Sequence, residues 1–203
     1  MRKFIVGITG ASGVIYGTRL IEVLLESGHY IDVVITSAGR KVLLDESAIK
    51  LEGPVKDQQT QLLDYLNKKD APLALHDIQD IGAVIASGSY RVDAMIVVPC
   101  SMGTLAAIAG GLSSNLLQRA SDVTLKEGRK LLLVPRETPL STIHLENMLK
   151  LSRLGVKIIP PVPAFYIQPK NIGDLVDFVV GRILDQLEII HNLYTRWENV
   201  KMQ

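Results

Sequence analysis

Arg136 and Glu137 form an opposite-charge pair directly after a short apolar run, Leu131 to Val134, which Pro135 ends. A continuous apolar run of that length is the pattern of a strand buried on both faces of a parallel sheet, and open α/β sheets bind their ligands beyond the carboxyl ends of such strands. The pair reads either as a rim salt bridge, which contributes little, or as chemistry. In the second case a cation stabilises a departing anion and the neighbouring carboxyl exchanges its proton. Lys126, Arg182 and the phenol of Tyr166 extend the set, and with Arg136 they are expected to converge on one anion, with Glu137 at its margin. Leu175, Phe178, Val179 and Ile183 define the buried face of a C-terminal helix, and Arg182 falls within it. A guanidinium there needs an anionic partner, either a buried carboxylate or a ligand phosphate.

A second anion site is signalled upstream. Phe4 to Thr9 reads as a first strand, and Gly7, Gly10 and Gly13 follow in GxxGxxG spacing before an amphipathic run through Leu20, Val23, Leu24 and Leu25. Glycines in a strand-turn-helix unit let the backbone approach a phosphate at the helix start. Ser12, inside the turn, either caps that helix or bonds a ligand. Ile31 to Ile35 is a second strand, ending in Thr36 and Ser37 at the same sheet edge, and the next helix, Gly39 to Ser47, carries Glu46. Ala94 to Val98 is a third buried strand, ended by Pro99-Cys-Ser-Met-Gly-Thr104, where small and hydroxylic residues open another helix. Two such turns point to a nucleotide-like ligand across a topological switch point. Cys100 is expected as a buried small residue rather than a nucleophile.

These elements must be positioned by the rest of the chain. The 203 residues, 47% hydrophobic with only 5% aromatic, predict one soluble α/β domain packed mainly by aliphatic side chains. The expected architecture is a three-layer, Rossmann-like, doubly wound parallel sheet, with a polar excursion over about 51–72 and a tail over about 191–203. Within the excursion a short helix is expected around Leu62 to Leu66, and Ala74 to His76 is a short strand. Ser113 or Ser114 caps a helix through Leu116, Ala120 and Val123, on which Arg119 and Lys126, seven apart, share one line. Ser141 opens a helix through Leu145, Met148 and Leu149, Val156 to Ile159 is the last strand, and Ile172 to Ile190 is the final helix. Twenty-two basic against twenty-one acidic residues leave a net charge of +1, with no basic run suited to nucleic acid. No membrane segment or signal peptide is expected, one cysteine fits a reducing cytoplasm, and the four scattered histidines show no metal-ligand spacing. No GxxxxGK[ST] occurs, which argues against a nucleoside triphosphate as phosphate source.

Five stretches together carry a family resemblance: Gly7-Ile-Thr-Gly-Ala-Ser-Gly13, Pro99-Cys-Ser-Met-Gly-Thr104, Arg119-Ala-Ser-Asp122, Pro135-Arg-Glu-Thr-Pro139 with Ile143-His-Leu-Glu-Asn-Met148, and Phe165-Tyr166. Over nearly the whole chain the sequence resembles the flavin prenyltransferases, the UbiX/Pad1 family. The resemblance implies a metal-independent homododecamer that joins a dimethylallyl unit from dimethylallyl monophosphate to N5 and C6 of reduced FMN, supplying prenylated FMN to a UbiD-type decarboxylase. By matching positions, FMN would contact Gly10, Ala11, Ser12, Thr36, Ser101, Met102, Gly103, Thr104 and Arg119, with Arg136 near both ligands. Lys126, Arg136, Tyr166 and Arg182 would hold the substrate phosphate. Glu137 would serve as acid/base at the leaving phosphate, Ser12 as a proton relay, and Glu46 in proton handling late in ring closure. Trp197 would cover the prenyl pocket, or else pack at a subunit contact.

Three other readings compete. A flavin-dependent cysteine decarboxylase would carry a Pro-x-Met-Asn-x-x-Met-Trp segment, which is absent. Tyr65-Leu-Asn-Lys-Lys69 matches the Tyr-x-x-x-Lys spacing of short-chain dehydrogenases, but too early in the chain. A flavin-binding carrier without catalysis is the third.

Overall fold

In a computed structural model, which describes residues 1–197, the apolar runs pair into one six-stranded sheet. The strands are β1 (Lys3–Ile8), β2 (Tyr30–Ile35), β3 (Leu73–His76), β4 (Ala94–Cys100), β5 (Lys130–Pro135) and β6 (Lys157–Ile158), in spatial order β3-β2-β1-β4-β5-β6. All pairings are parallel, with Phe4 beside both Ile31 and Ala94. Every residue of β4 and all but the first residue of β1, β2 and β5 are buried, the sign of a sheet covered on both faces. The doubly wound Rossmann-like fold is therefore as expected, and the strand order reverses between β1 and β4.

Among the described residues the chain forms seven α-helices: α1 (Val14–Glu26), α2 (Ser37–Ser47), α3 (Val55–Tyr65), α4 (Met102–Ala109), α5 (Leu116–Lys126), α6 (Thr142–Arg153) and α7 (Ile172–Gln186). Several starts are fixed by side-chain caps. Thr36 accepts from Gly39 N–H, Ser101 from Thr104 N–H, Asn115 from Gln118 N–H and Ser141 from His144 N–H. Asn115, not Ser113 or Ser114, caps α5. The segment expected as an excursion instead forms all of α3, which buries Gln58, Leu62 and Leu63 and packs on β3. Strand β4 runs two residues past Val98, through a register shift between Val97 and Cys100 that accommodates Pro99. Helix α6 buries Leu151 and packs Met148 partly against the core, leaving Ile143, Leu145 and Leu149 exposed.

The chain divides into two compact units, 1–160 and 161–203, and the sheet lies wholly in the first. In the second unit α7 ends at Gln186, four residues before the expected stop. At about 100° per residue its buried positions fall on two stripes. Val176, Val180, Ile183 and Leu184 make one; Phe178 and Gly181 belong to another, which also carries Arg182 and Asp185. The returning segment after the helix covers this second stripe, with the Tyr194 ring 4.9 Å from that of Phe178.

In the first unit one buried side chain joins the two central strands. Thr9 is fully buried; its hydroxyl donates to the Pro99 carbonyl at 2.8 Å and accepts from the Ser101 N–H at 2.7 Å. Thr9→Val keeps the shape but leaves that N–H without its partner, and should lower stability by about 1–3 kcal/mol. Thr9→Ser should recover most of the loss. Urea unfolding of the three proteins is the measurement, and a valine variant as stable as the parent would remove this role.

Candidate active site

The switch point sets two loops side by side. One is the glycine turn after β1; the other runs from Cys100 into α4. Gly13 adopts a left-handed conformation with φ of 98°, which favours glycine, and a side chain at Gly10 would collide with Ala38 Cβ. The rim they form is hydroxylic. Ser101 Oγ donates to Thr104 Oγ1 at 3.0 Å and accepts from Thr104 N–H at 3.3 Å, while the Thr36 hydroxyl accepts from Gly39 N–H at 3.0 Å. Met102 is buried and packs in the hydrophobic core. Cys100 is fully buried and burial pushes its thiol far above the usual range, which leaves it as packing rather than nucleophile.

The N-terminus of α1 was expected to face a ligand anion. In the structure it faces an anion from its own chain. Glu46, at the far end of α2, places Oε2 2.8 Å from Gly13 N and 3.2 Å from Val14 N, both of which donate to it. The Ser12 hydroxyl also bonds this carboxylate, and Arg136 acts on it electrostatically. Partial burial raises the Glu46 pKa, but the Ser12 hydroxyl, the two N–H donors and the Arg136 charge outweigh it and hold the carboxyl below its usual range. Ser12, Glu46 and Arg136 are thus brought together.

Arg136 and Glu137 follow β5 and are exposed. Among the described residues no ion pair joins them: the Arg136 N–H donates to the Cys100 carbonyl at 3.3 Å, and Glu137 Oε1 accepts from the Thr138 N–H at 3.0 Å. The rim salt bridge is not formed, which leaves the Glu137 carboxyl presented to solvent. Arg119, in the first turn of α5, pairs with Asp122 at 2.9 Å.

The expected convergence of Lys126 with Arg136 does not occur within one protomer. Lys126 precedes β5 and Arg136 follows it, and six extended residues span about 20 Å. Lys126 Nζ pairs with Glu127 at 2.6 Å, near Gly88, and the next loop is held there by Arg129, which donates to the carbonyls of Tyr90 and Gly88 at 2.8 and 2.6 Å. These groups sit at the amino-terminal ends of the strands, the opposite edge from the switch point. Helical spacing had shown which side of α5 Lys126 occupies, not which end of the sheet it reaches.

Within the second unit, Tyr166 stacks edge-on against Phe178 at 5.9 Å and Trp197 at 5.0 Å. Arg182 is not in a buried face: its side chain is 50% exposed, on the second stripe of α7, and it pairs with Asp185 at 3.1 Å. Phe178, read as marking the main buried face, belongs to that second stripe, which is why the position was misjudged. Asp185 and Tyr194 were missed, as was Thr9. All three act through long-range or post-helical contacts that periodicity does not register; a threonine closing a strand before a glycine turn was the one available hint.

The rim at the switch point suits a flavin nucleotide. A phosphate and polyol chain need N–H and hydroxyl donors, and Ser12, Thr36, Ser101 and Thr104 supply hydroxyls beside two capped helix starts. A Cβ built on Gly103 meets nothing within 4 Å, so the backbone there is open to close approach. Among the described residues no group of three or more His, Cys, Asp or Glu side chains is arranged to hold a metal.

Comparison with known proteins agrees with this chemistry. Residues 1–184 match the Flavoprotein family model. A flavin prenyltransferase UbiX of Halalkalibacterium halodurans is 51% identical over 194 residues, covering 96% of this chain and 92% of the relative. A dodecameric FMN-dependent UbiX-like decarboxylase from Escherichia coli O157:H7 superposes with a TM-score of 0.85 at 45% identity, covering 96% of this chain and 98% of that one. AnUbiX (PadA1), in complex with FMN and dimethylallyl pyrophosphate, gives a TM-score of 0.85 at 41% identity, with 97% of each chain covered.

The depressed pKa of Glu46 predicts a pH dependence. A carboxyl whose folded value lies below its unfolded value of about 4.3 stabilises the fold above that value, and the contribution disappears as pH falls through the folded value. Glu46→Gln should therefore be less stable than the parent by about 1 kcal/mol near neutrality, with the gap closing in acid. Urea midpoints from pH 7 to pH 3 measure it; a gap independent of pH would assign the loss to packing instead of charge.

Proposed function

The chain belongs to the flavoprotein family and, within it, to the UbiX flavin prenyltransferases, and from that premise we propose how its residues divide the work. The enzyme transfers a dimethylallyl group to N5 and C6 of reduced FMN. The observation that carries the assignment of roles is the meeting of the hydroxylic switch-point rim with the Ser12–Glu46 pair and Arg136.

Reduced FMN, when bound, supplies the nucleophilic atoms that accept the prenyl group. Gly10, Ala11, Thr36, Ser101, Met102, Gly103 and Thr104 bind it, with Arg119 and Arg136 adding positive charge. Ser12 moves a proton at the flavin edge and Glu46, already hydrogen-bonded to it, takes up or returns that proton. Glu137 protonates the leaving phosphate oxygen; its exposure beyond β5 supports the role. Tyr166 and Arg182 bind the phosphate of the prenyl donor, and Trp197, edge-on to Tyr166, covers the prenyl chain. The donor is dimethylallyl monophosphate. Residues 1–203 serve this one activity.

Lys126 completes the phosphate site from a neighbouring copy of the chain, because within its own protomer a full strand separates it from Arg136. The exposed Ile143, Leu145 and Leu149 of α6 support self-association, and a dodecamer is the proposed assembly. The product, prenylated FMN, goes to a UbiD-type decarboxylase. No helix among the described residues is long and apolar enough to cross a membrane. The cytoplasm is the proposed location, where a single buried cysteine stays reduced.

Anaerobic incubation with reduced FMN and dimethylallyl monophosphate, followed by mass spectrometry of the released flavin, should show the prenyl adduct. Glu137→Gln should still bind FMN but form adduct about 10²–10⁴-fold more slowly. FMN binding without adduct from either the monophosphate or the diphosphate would make the protein a carrier. Mixed assemblies of Lys126→Ala and Arg136→Ala protomers test the contribution in trans. They should recover activity that neither variant has alone, and failure to do so would return Lys126 to a structural role.

A further inference from the structure

Helix α7 contains a glycine at a position where alanine would be worth about 1 kcal/mol more to the helix. The reason lies in what covers it. A Cβ on Gly181 would stand 2.6 Å from Tyr194 Cε1 and 2.7 Å from His191 Cε1, so only a glycine lets these two rings lie on the helix backbone. One turn further on, Asp185 receives the polar ends of the same segment. Its Oδ2 accepts from the Tyr194 hydroxyl at 2.6 Å and from Arg182 Nη1 at 3.1 Å; its Oδ1 accepts from Arg196 Nη2 at 2.8 Å and lies 3.2 Å from His191 Nε2. His191 Nδ1 accepts the Leu193 N–H at 3.3 Å, which leaves Nε2 to donate to Asp185.

Four donors saturate the two carboxylate oxygens, and this fixes Arg182. The Tyr194 hydroxyl bonds the guanidinium and raises the Arg182 pKa; partial burial opposes this, and the Asp185 carboxylate adds to the rise. The contact to Asp185 uses Nη1, and half of the Arg182 side chain stays exposed. Tyr194 also packs on Phe178, which packs on Tyr166, so one aromatic series links both proposed phosphate ligands of this unit.

We propose that Asp185 and Tyr194 are positioning residues for the prenyl donor's phosphate, holding Arg182 against α7 with one edge of its guanidinium turned outward, and that Gly181 is required to admit them. The inference rests on Arg182 being a phosphate ligand. A held guanidinium loses less freedom when the anion arrives, and the gain appears in substrate binding rather than in the chemical step. Tyr194 and Asp185 touch neither the flavin nor the reacting carbon in this scheme.

Tyr194→Phe is the sharpest test, since it keeps both ring contacts and deletes only the hydroxyl. The KM for dimethylallyl monophosphate and the inhibition constant of inorganic phosphate should each rise about threefold to tenfold, with kcat and FMN affinity little changed. Asp185→Asn should act in the same direction, and Gly181→Ala, which evicts both rings, more strongly. The decisive readout is the Arg182→Ala background, in which Tyr194→Phe should have no further effect on KM. If Arg182→Ala raises KM but Tyr194→Phe and Asp185→Asn leave it unchanged, the positioning role is wrong while the phosphate role of Arg182 stands. Equal and additive effects in both backgrounds would also overturn it. If Arg182→Ala itself leaves KM and phosphate inhibition unaltered, Arg182 is not a phosphate ligand and the inference falls with that reading.

Discussion

A single threonine hydroxyl ties the ends of the two central strands together at the switch point, where the glycine turn and the Ser101 turn meet. Strands β1 and β4 are neighbours in space but far apart in the chain, and their ends must stay in register for the two loops beyond them to form one rim. Thr9 does this as donor and acceptor at once, to a carbonyl within β4 and to the first N–H after it. Pro99 offers no N–H of its own to the ladder, and the strand shifts register around it. The hydroxyl stands in where the regular ladder stops. It holds the Ser101 cap, and hence the start of α4, beside the glycine turn, together with the backbone bond from Thr9 N–H to the Pro99 carbonyl.

Around that junction the helix starts are used differently. At α1 the orphan N–H groups are satisfied by the chain's own Glu46, which removes that terminus from competition for a ligand phosphate. At α2 and α4 the caps are neutral hydroxyls, which leave the partial positive charge of the helix start uncompensated. One sheet edge therefore has a negative pole at Glu46 and positive poles on either side of it. A ligand carrying both an anionic group and a site of proton exchange is oriented by such an arrangement, because each end suits only one pole.

Much of this was legible in the residues. Strands β1, β2, β4 and β5 are covered on both faces, and continuous apolar runs have no other common explanation in a chain without a membrane pattern. The glycine turn and the Ser101 turn were equally plain, since they depend on local backbone chemistry. What failed was anything set by distance along an element or by contacts across the chain. Asn115 outranked two serines as a cap because the choice depends on where the chain arrives from α4. Lys126 was placed on the right side of α5 and at the wrong end of the sheet. Arg182 was taken as buried because α7 has two apolar stripes, and a single periodicity merges them. Glu46 could be named only through family likeness; nothing in its own neighbourhood shows that the far end of α2 folds back onto the start of α1.

The contact between Gly181 and the Tyr194 and His191 rings couples two stretches of chain that would otherwise vary independently. A larger residue at 181 needs smaller residues at both 191 and 194, and rings at those positions need a glycine at 181. Single substitutions at any of the three are unfavourable steps, so the helix and the segment after it can drift only by concerted change. Grafting the C-terminal segment of one such protein onto another then succeeds or fails on one hydrogen atom in the helix.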